Sequence, residues 1–266
     1  MQRHINTEGL INFRDLGGYP ARNLEGQVCT VKPSMLYRSG HFNDLNAQAR
    51  EQLARLGIGR VFDFRSEKER LKKPSLFPES HQYEIVELNL DPGSGSSFKK
   101  GLSEWRKDNQ AYDDAAMEQV MCQINRSLVN DHADIYRVFF QHLLQIPPAP
   151  LVFHCASGKD RTGLAAALLL SALGVEREVI LEDYLFTNAC IDVEHQVARA
   201  LEDFDEQYTA SIDATALKAM YEVRPAYLQA AFDEIDRLGG METFLDQHLQ
   251  LREEDLKLLQ NHYLKD

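Results

Sequence analysis

The residues best suited to chemistry in this 266-residue sequence are a cysteine, an arginine six positions on and a glycine-bearing turn between them. They stand in His154-Cys155-Ala156-Ser157-Gly158-Lys159-Asp160-Arg161-Thr162-Gly163, between the short apolar run Pro150 to Phe153 and the apolar run Leu164 to Leu173. That order reads as a strand, a tight loop and a helix start. In such a loop the backbone N–H groups of Ala156, Ser157 and Gly158 turn inward as an anion-binding nest, and the helix N-terminus adds partial positive charge behind them. A thiol at the mouth of that nest ionises readily, because the N–H groups, the dipole and the arginine all favour the thiolate, which is the nucleophile. Arg161 can return across the loop and clamp two phosphoryl oxygens at once, for which a lysine's point charge is a poor substitute. Only Cys155 has this spacing: six residues after Cys29, Cys122 and Cys190 come Met35, Leu128 and Gln196.

Cysteine attack would give a phosphocysteine intermediate that water then hydrolyses, with the Thr162 hydroxyl close enough in sequence to support the sulfur as it leaves. The departing oxygen needs a proton, for which Asp160 at the rim of the loop is the first candidate. Asp63 and Asp91, at or just after the ends of two expected strands, are rivals. His154 is expected to hydrogen-bond to backbone beside the nucleophile. Arg14 and Asp15 could form an ion pair near the site or stabilise a turn, and Arg38 and Arg65 could line the phosphate cleft or stand in solvent; Arg14 and Arg65 are kept as candidate substrate contacts. Gly158-Lys159 is not a nucleotide-binding loop, since Phe153 stands where the first glycine of GxxxxGK[ST] would fall and Asp160 replaces Ser or Thr. The histidines and cysteines lack metal-ligand spacing, so neither metal nor other cofactor is expected.

The positioning elements can be read on either side. Val28, Thr30 and Val31 are β-prone beside a turn at Asn23 to Gly26, and Asn43 or Asp44 could cap a helix striped by Leu45, Ala49, Leu53 and Leu56 and ended by Gly57. Val61 to Phe64, Tyr83 to Leu90 and Pro150 to Phe153 read as strands, and the chain from Leu164 is helical nearly to its end. Strands alternating with helices imply an α/β fold over one domain, 1–266, with a helical C-terminal part. Asp91 to Ala115 reads as a long loop, with Trp105 and its basic neighbours suggesting a lid over 94–108, or a helix that simply packs. The charged run Ser66 to Lys73 reads as a solvated helix start.

The formal charge of −12 disfavours nucleic acid and anionic membranes as general partners, so an anionic substrate must be caught by local charge. Four scattered cysteines read as reduced thiols. Met1 to Leu10 has no apolar core typical of a signal peptide, and Leu164 to Val175 is too short to span a bilayer, so a cytoplasmic protein without integral membrane association is expected.

His-Cys-x-x-Gly-Lys-Asp-Arg-Thr-Gly resembles the phosphate loop of the atypical bacterial tyrosine/serine phosphatases, some of which also act on phosphoinositides. Asn12-Phe13-Arg14-Asp15-Leu16-Gly17-Gly18-Tyr19, Leu36-Tyr37-Arg38-Ser39-Gly40, Phe62-Asp63-Phe64-Arg65-Ser66, Asp183 to Asn188 and Pro225 to Leu245 are similar to further family blocks, Phe64 departing from leucine. The resemblance implies a protein tyrosine phosphatase-like fold with a central, mostly parallel sheet flanked by helices. It also implies Cys155 as nucleophile, Arg161 as transition-state arginine, Lys159 as a further phosphate or inositol-phosphate contact and Asp160 as acid. Expected partners are a phosphotyrosine protein or phosphoinositide and a phosphate ion in the site. A phosphoinositide or small-molecule phosphatase, a silent phosphate-binding module and a sulfur-transfer or arsenate-handling protein are the competing readings.

Overall fold

The structure, a computed structural model, describes residues 4–5, 9–78, 82–93, 113–145, 148–203 and 214–266. Strands β1 (Arg14–Asp15), β2 (Pro20–Arg22), β3 (Val28–Val31) and β4 (Leu36–Ser39) open the fold, followed by helix α1 (Ala47–Arg55), β5 (Arg60–Asp63), α2 (Glu67–Lys72) and β6 (Glu84–Glu87). Next come α3 (Asp114–Asn130), α4 (Ala133–Leu144), β7 (Leu151–His154), α5 (Asp160–Ala172), α6 (Arg177–Leu185), α7 (Thr187–Cys190) and α8 (Val193–Asp203). The chain ends with α9 (Ala214–Tyr221), α10 (Pro225–Arg237), the short α11 (Met241–Thr243) running into a π-helical turn, α12 (Glu253–Tyr263) and β8 (Leu264–Lys265). The lid suggested at 94–108 lies outside the described residues.

The main sheet has the order β1-β4-β7-β5-β6, with β4, β7, β5 and β6 parallel and only β1 antiparallel. Alternation along the inner strands divides the core. Tyr37, Val61 and Val152 face the cluster formed with Leu45, Ala49 and Leu53 around α1, whereas Leu36, Phe62 and Phe153 face the larger cluster built on α3 to α6 and the C-terminal helices. Helix α5 is buried from Arg161 to Leu170, so it serves as the hub of that second layer. A small antiparallel sheet, β2-β3-β8, joins the last strand to the N-terminal part.

Register aligns the chemistry. Ser39 of β4 and Asp63 of β5 both sit opposite His154 of β7, so the loops leaving these parallel strands emerge together at one edge, where α/β sheets bind ligands. The cap of α1 differs from the expected Asn43 or Asp44: Asn46 accepts from the Ala49 N–H at 2.8 Å, which leaves Leu45 outside the helix and buried. The loop after Asp91 also ends earlier than expected, because Asp113 caps α3 by accepting from the Ala116 N–H. Among the described residues no helix is long and apolar enough to cross a membrane.

Candidate active site

The loop from Cys155 to Lys159 links the central strand to α5, and its shape follows from what holds its outward-facing carbonyls. Asn12 Nδ2 donates to the carbonyls of Ser157 and Gly158 at 3.2 and 2.9 Å, Arg38 Nη2 donates to Gly158 at 2.8 Å, and the His41 N–H donates to Ala156 at 2.8 Å. With these oxygens fixed outside, the amides are left for the concave side. Gly158 has φ of +69°, and a Cβ there would come within 2.5 Å of the Ser39 carbonyl oxygen, so only glycine closes the turn. Helix α5 has no side-chain N-cap, which leaves its first-turn N–H groups available to an anion.

Beneath the loop lies a buried charge network. Arg14 Nε donates to Asp183 Oδ1 at 3.0 Å, Arg38 Nη1 donates to Asp183 Oδ2 at 2.6 Å, and the Tyr19 hydroxyl donates to Oδ1 at 2.9 Å. Arg14 also donates to the Asp183 carbonyl and to Asn12, whose φ of 56° is left-handed. Burial resists ionisation of Asp183, but the two guanidiniums hold its carboxyl well below the usual range. Arg14 is therefore a support for the loop, not the substrate contact expected, and its partner is Asp183, not Asp15. Asp15 instead accepts from the N–H groups of Gly17 and Ser34. Replacing Asp183 by alanine leaves two buried guanidiniums facing each other and is expected to remove about 3–5 kcal/mol of stability, measured by urea unfolding.

Arg161 is gripped from its outer side. Nη1 and Nη2 each donate to a Glu69 carboxylate oxygen at 2.7 Å, and Nη1 also donates to the Leu90 carbonyl at 3.0 Å. None of the hydrogen bonds described for this guanidinium uses Nε, so the Nε edge remains for a ligand. Glu69 is itself fixed by the capping box of α2, accepting from the Ser66 N–H and hydroxyl at 2.8 and 2.9 Å. Ser66 to Lys73 is thus more than a solvated helix start. The only sequence signal for Glu69 was the Ser-x-x-Glu spacing of a capping box, which marks a helix but not its arginine partner. The Tyr136 hydroxyl anchors the helix start by donating to the Arg161 carbonyl at 3.1 Å.

The other expected residues take varied positions. Cys155 is buried at the end of β7. Asp160 begins α5 with Oδ1 buried and unpaired, and Thr162 has a buried hydroxyl without a hydrogen-bond partner. Lys159 is buried, its ammonium donates to the carbonyls of Met220 and Glu222 and lies 3.9 Å from Asp160 Oδ2, so in this arrangement it ties the loop to the end of α9. Arg65 binds Asp63 through Nε and Nη2, yet it also borders a 360 Å³ cavity whose wall includes Ala156 and Ser157. Burial disfavours the Asp63 carboxylate, but Arg65, which donates to both of its oxygens, favours the charged form and lowers its value, which counts against Asp63 as the acid. Asp91 accepts from the Gly93 N–H and follows the carbonyl that holds Arg161.

His154 Nδ1 lies 3.2 Å from the Cys155 carbonyl, the backbone contact expected, and Nε2 lies 3.5 Å from Asp63. Burial outweighs Asp63 and pushes the imidazole down from 6.5 to about 4, so the ring is neutral at pH 7. A histidine with a depressed folded value contributes stability that is full above about 6.5 and lost as pH falls through about 4. The loss approaches about 3 kcal/mol at 1.36 kcal/mol per unit. Unfolding free energies measured across that window should decline, and His154→Gln should flatten the decline. Glu69 acts in a lower window: burial opposes its charge, Arg161 prevails, and its value of about 2 places its loss of stabilisation between about 4.5 and 2.

A family profile described as "Tyrosine phosphatase family" matches residues 5–265. A Cupriavidus necator protein provisionally named a tyrosine-protein phosphatase is 32% identical over 98% of this chain and 89% of its own length. The triple specificity protein phosphatase PtpB of Mycobacterium tuberculosis is 29% identical over 84% of this chain and 88% of its own. A crystal structure of P. aeruginosa TpbA in complex with phosphotyrosine overlaps 73% of this chain and 89% of that one at 18% identity, with a TM-score of 0.32.

Proposed function

Because the chain belongs to the tyrosine phosphatase family, we propose that it hydrolyses phosphotyrosine in proteins through a phosphocysteine at Cys155. The observation that carries this assignment is the loop itself: its carbonyls are tied outward, Gly158 closes it, and the arginine behind it is fixed by Glu69 with Nε left over. In the first step the Cys155 thiolate attacks phosphorus and the ester P–O bond breaks. The leaving oxygen takes a proton from Asp160. In the second step Asp160, now a carboxylate, accepts a proton from water as that water attacks phosphorus; the S–P bond breaks and inorganic phosphate departs. The backbone amides of Ala156, Ser157 and Gly158 and the Arg161 guanidinium bind the equatorial oxygens as negative charge builds there.

The choice of Asp160 as acid draws on its buried, unpaired Oδ1 at the head of α5, and on the loss of Asp63 to its partners. Asp160→Asn should lower kcat by about 10²- to 10³-fold for an alkyl phosphate, and much less for an aryl phosphate whose leaving group needs no proton. Equal losses on both substrates would transfer the role elsewhere, with Asp91 first. A wider range that includes phosphoserine, phosphothreonine or phosphoinositides draws on the similarity to the triple specificity protein phosphatase PtpB. A panel of these phosphomonoesters at equal ionic strength tests that breadth.

A further inference from the structure

Beside the catalytic loop, the 360 Å³ cavity has Ala156 and Ser157 in its wall and is crossed by charges that the phosphoryl group does not need. Lys72 and Lys73 enter from the end of α2 and Arg199 from α8, all three exposed and, among the described residues, without a carboxylate within ion-pair distance. Of the two carboxylates in the wall, Glu69 is bound to Arg161, while Asp44 accepts from Asn43 and faces His41. Arg65 is likewise bound to Asp63. The unpaired charge is therefore three cations against one carboxylate, in a chain whose formal charge is −12. Ile11, Ile191 and Tyr221 supply apolar wall between the loop and these cations, a surface suited to a ring.

We propose that this cavity is a specificity subsite that binds an acidic side chain next to the phosphotyrosine of a peptide substrate, with Lys72, Lys73 and Arg199 as its cations. The assignment rests on the phosphatase reading of the adjoining loop. A soluble peptide fits the charge distribution better than a lipid surface, because an anionic membrane meets the repulsion of the whole acidic chain whereas one carboxylate meets only the local field. Helix α2 gives the subsite a second consequence. It buries none of its residues and carries both Glu69, which orients Arg161, and Lys72, so an anion held at its C-terminal end also steadies the clamp.

The test compares two phosphotyrosine peptides of equal length, one with glutamates flanking the phosphotyrosine and one with alanines. Binding is measured to Cys155→Ser and kcat/KM is measured with the active enzyme. The acidic peptide should be favoured about tenfold at low ionic strength, less at high salt, and the ratio should fall to about one in the Lys72→Ala, Lys73→Ala, Arg199→Ala triple variant. No preference, or a preference that survives in the triple variant, overturns the subsite. So does a triple variant that keeps its peptide ratio but loses turnover of a phosphoinositide. Failure of the catalytic reading would appear differently, as absent turnover in the active enzyme with the binding ratio still measurable on Cys155→Ser.

Discussion

Cys155→Ser is expected to abolish turnover while leaving phosphate binding in place. The hydroxyl nearly matches the thiol in size but remains protonated at neutral pH, so the first bond to phosphorus is not made and hydrolysis of an aryl phosphate should fall by roughly 10³- to 10⁶-fold. The binding groups are untouched. The loop carbonyls stay tied to Asn12, Arg38 and the His41 N–H, and Arg161 stays on Glu69. Vanadate or phosphate titrated into this variant should therefore bind within a few-fold of wild type. Turnover by the serine variant near the wild-type rate would mean that the nucleophile is another group.

Arg161→Lys carries the second-largest expected effect, and the geometry separates it from a mere loss of charge. An ammonium keeps the charge but cannot hold Glu69 with two nitrogens while presenting a further N–H edge to the phosphate. The expected loss in kcat/KM is about 10²- to 10⁴-fold, of the size seen when oxyanion donors are removed, and it should fall mainly on kcat because the equatorial charge develops in the transition state. Glu69→Gln keeps the capping box possible yet removes the charge opposite Arg161. It should cost about tenfold in kcat and also lower the melting temperature, since the stabilisation that ionised Glu69 draws from Arg161 is lost, whereas loss of a helix cap alone would change stability and spare the rate. If Arg161→Lys lost only affinity, with kcat unchanged, the guanidinium would be a ground-state contact and not a transition-state one.

The parts of this arrangement that were legible in the sequence are local. The strand, loop and helix around Cys155 could be read because one apolar run stops at His154 and another starts at Leu164, and because a glycine falls where the turn needs a left-handed residue. The α/β class followed from alternating elements and the mostly parallel sheet from the family resemblance, whose blocks fell at the strand ends that flank the loop. The parts that were not legible are contacts between distant segments. Arg14 stood beside an aspartate in sequence, but its partner is Asp183, 169 positions away, because β1 lies at the sheet edge where α6 passes. Lys159 sat among phosphate-binding residues, yet the carbonyls of Met220 and Glu222 at the end of α9 satisfy its ammonium. Glu69 looked like one more charge in a solvated run, since nothing in Ser66 to Lys73 indicates that the fold brings Arg161 to meet it. Asn46 was passed over as a cap for Asn43 and Asp44, which have the same chemistry three and two residues earlier.

The most direct measurement is of the intermediate. Enzyme mixed with an aryl phosphate and quenched in acid within one turnover should carry one phosphoryl group, and peptide mass spectrometry should find it on the sulfur of Cys155, at a higher level in Asp160→Asn if the second step is slowed. A phosphoryl group on another residue, or turnover with no covalent species at any time, would contradict the account.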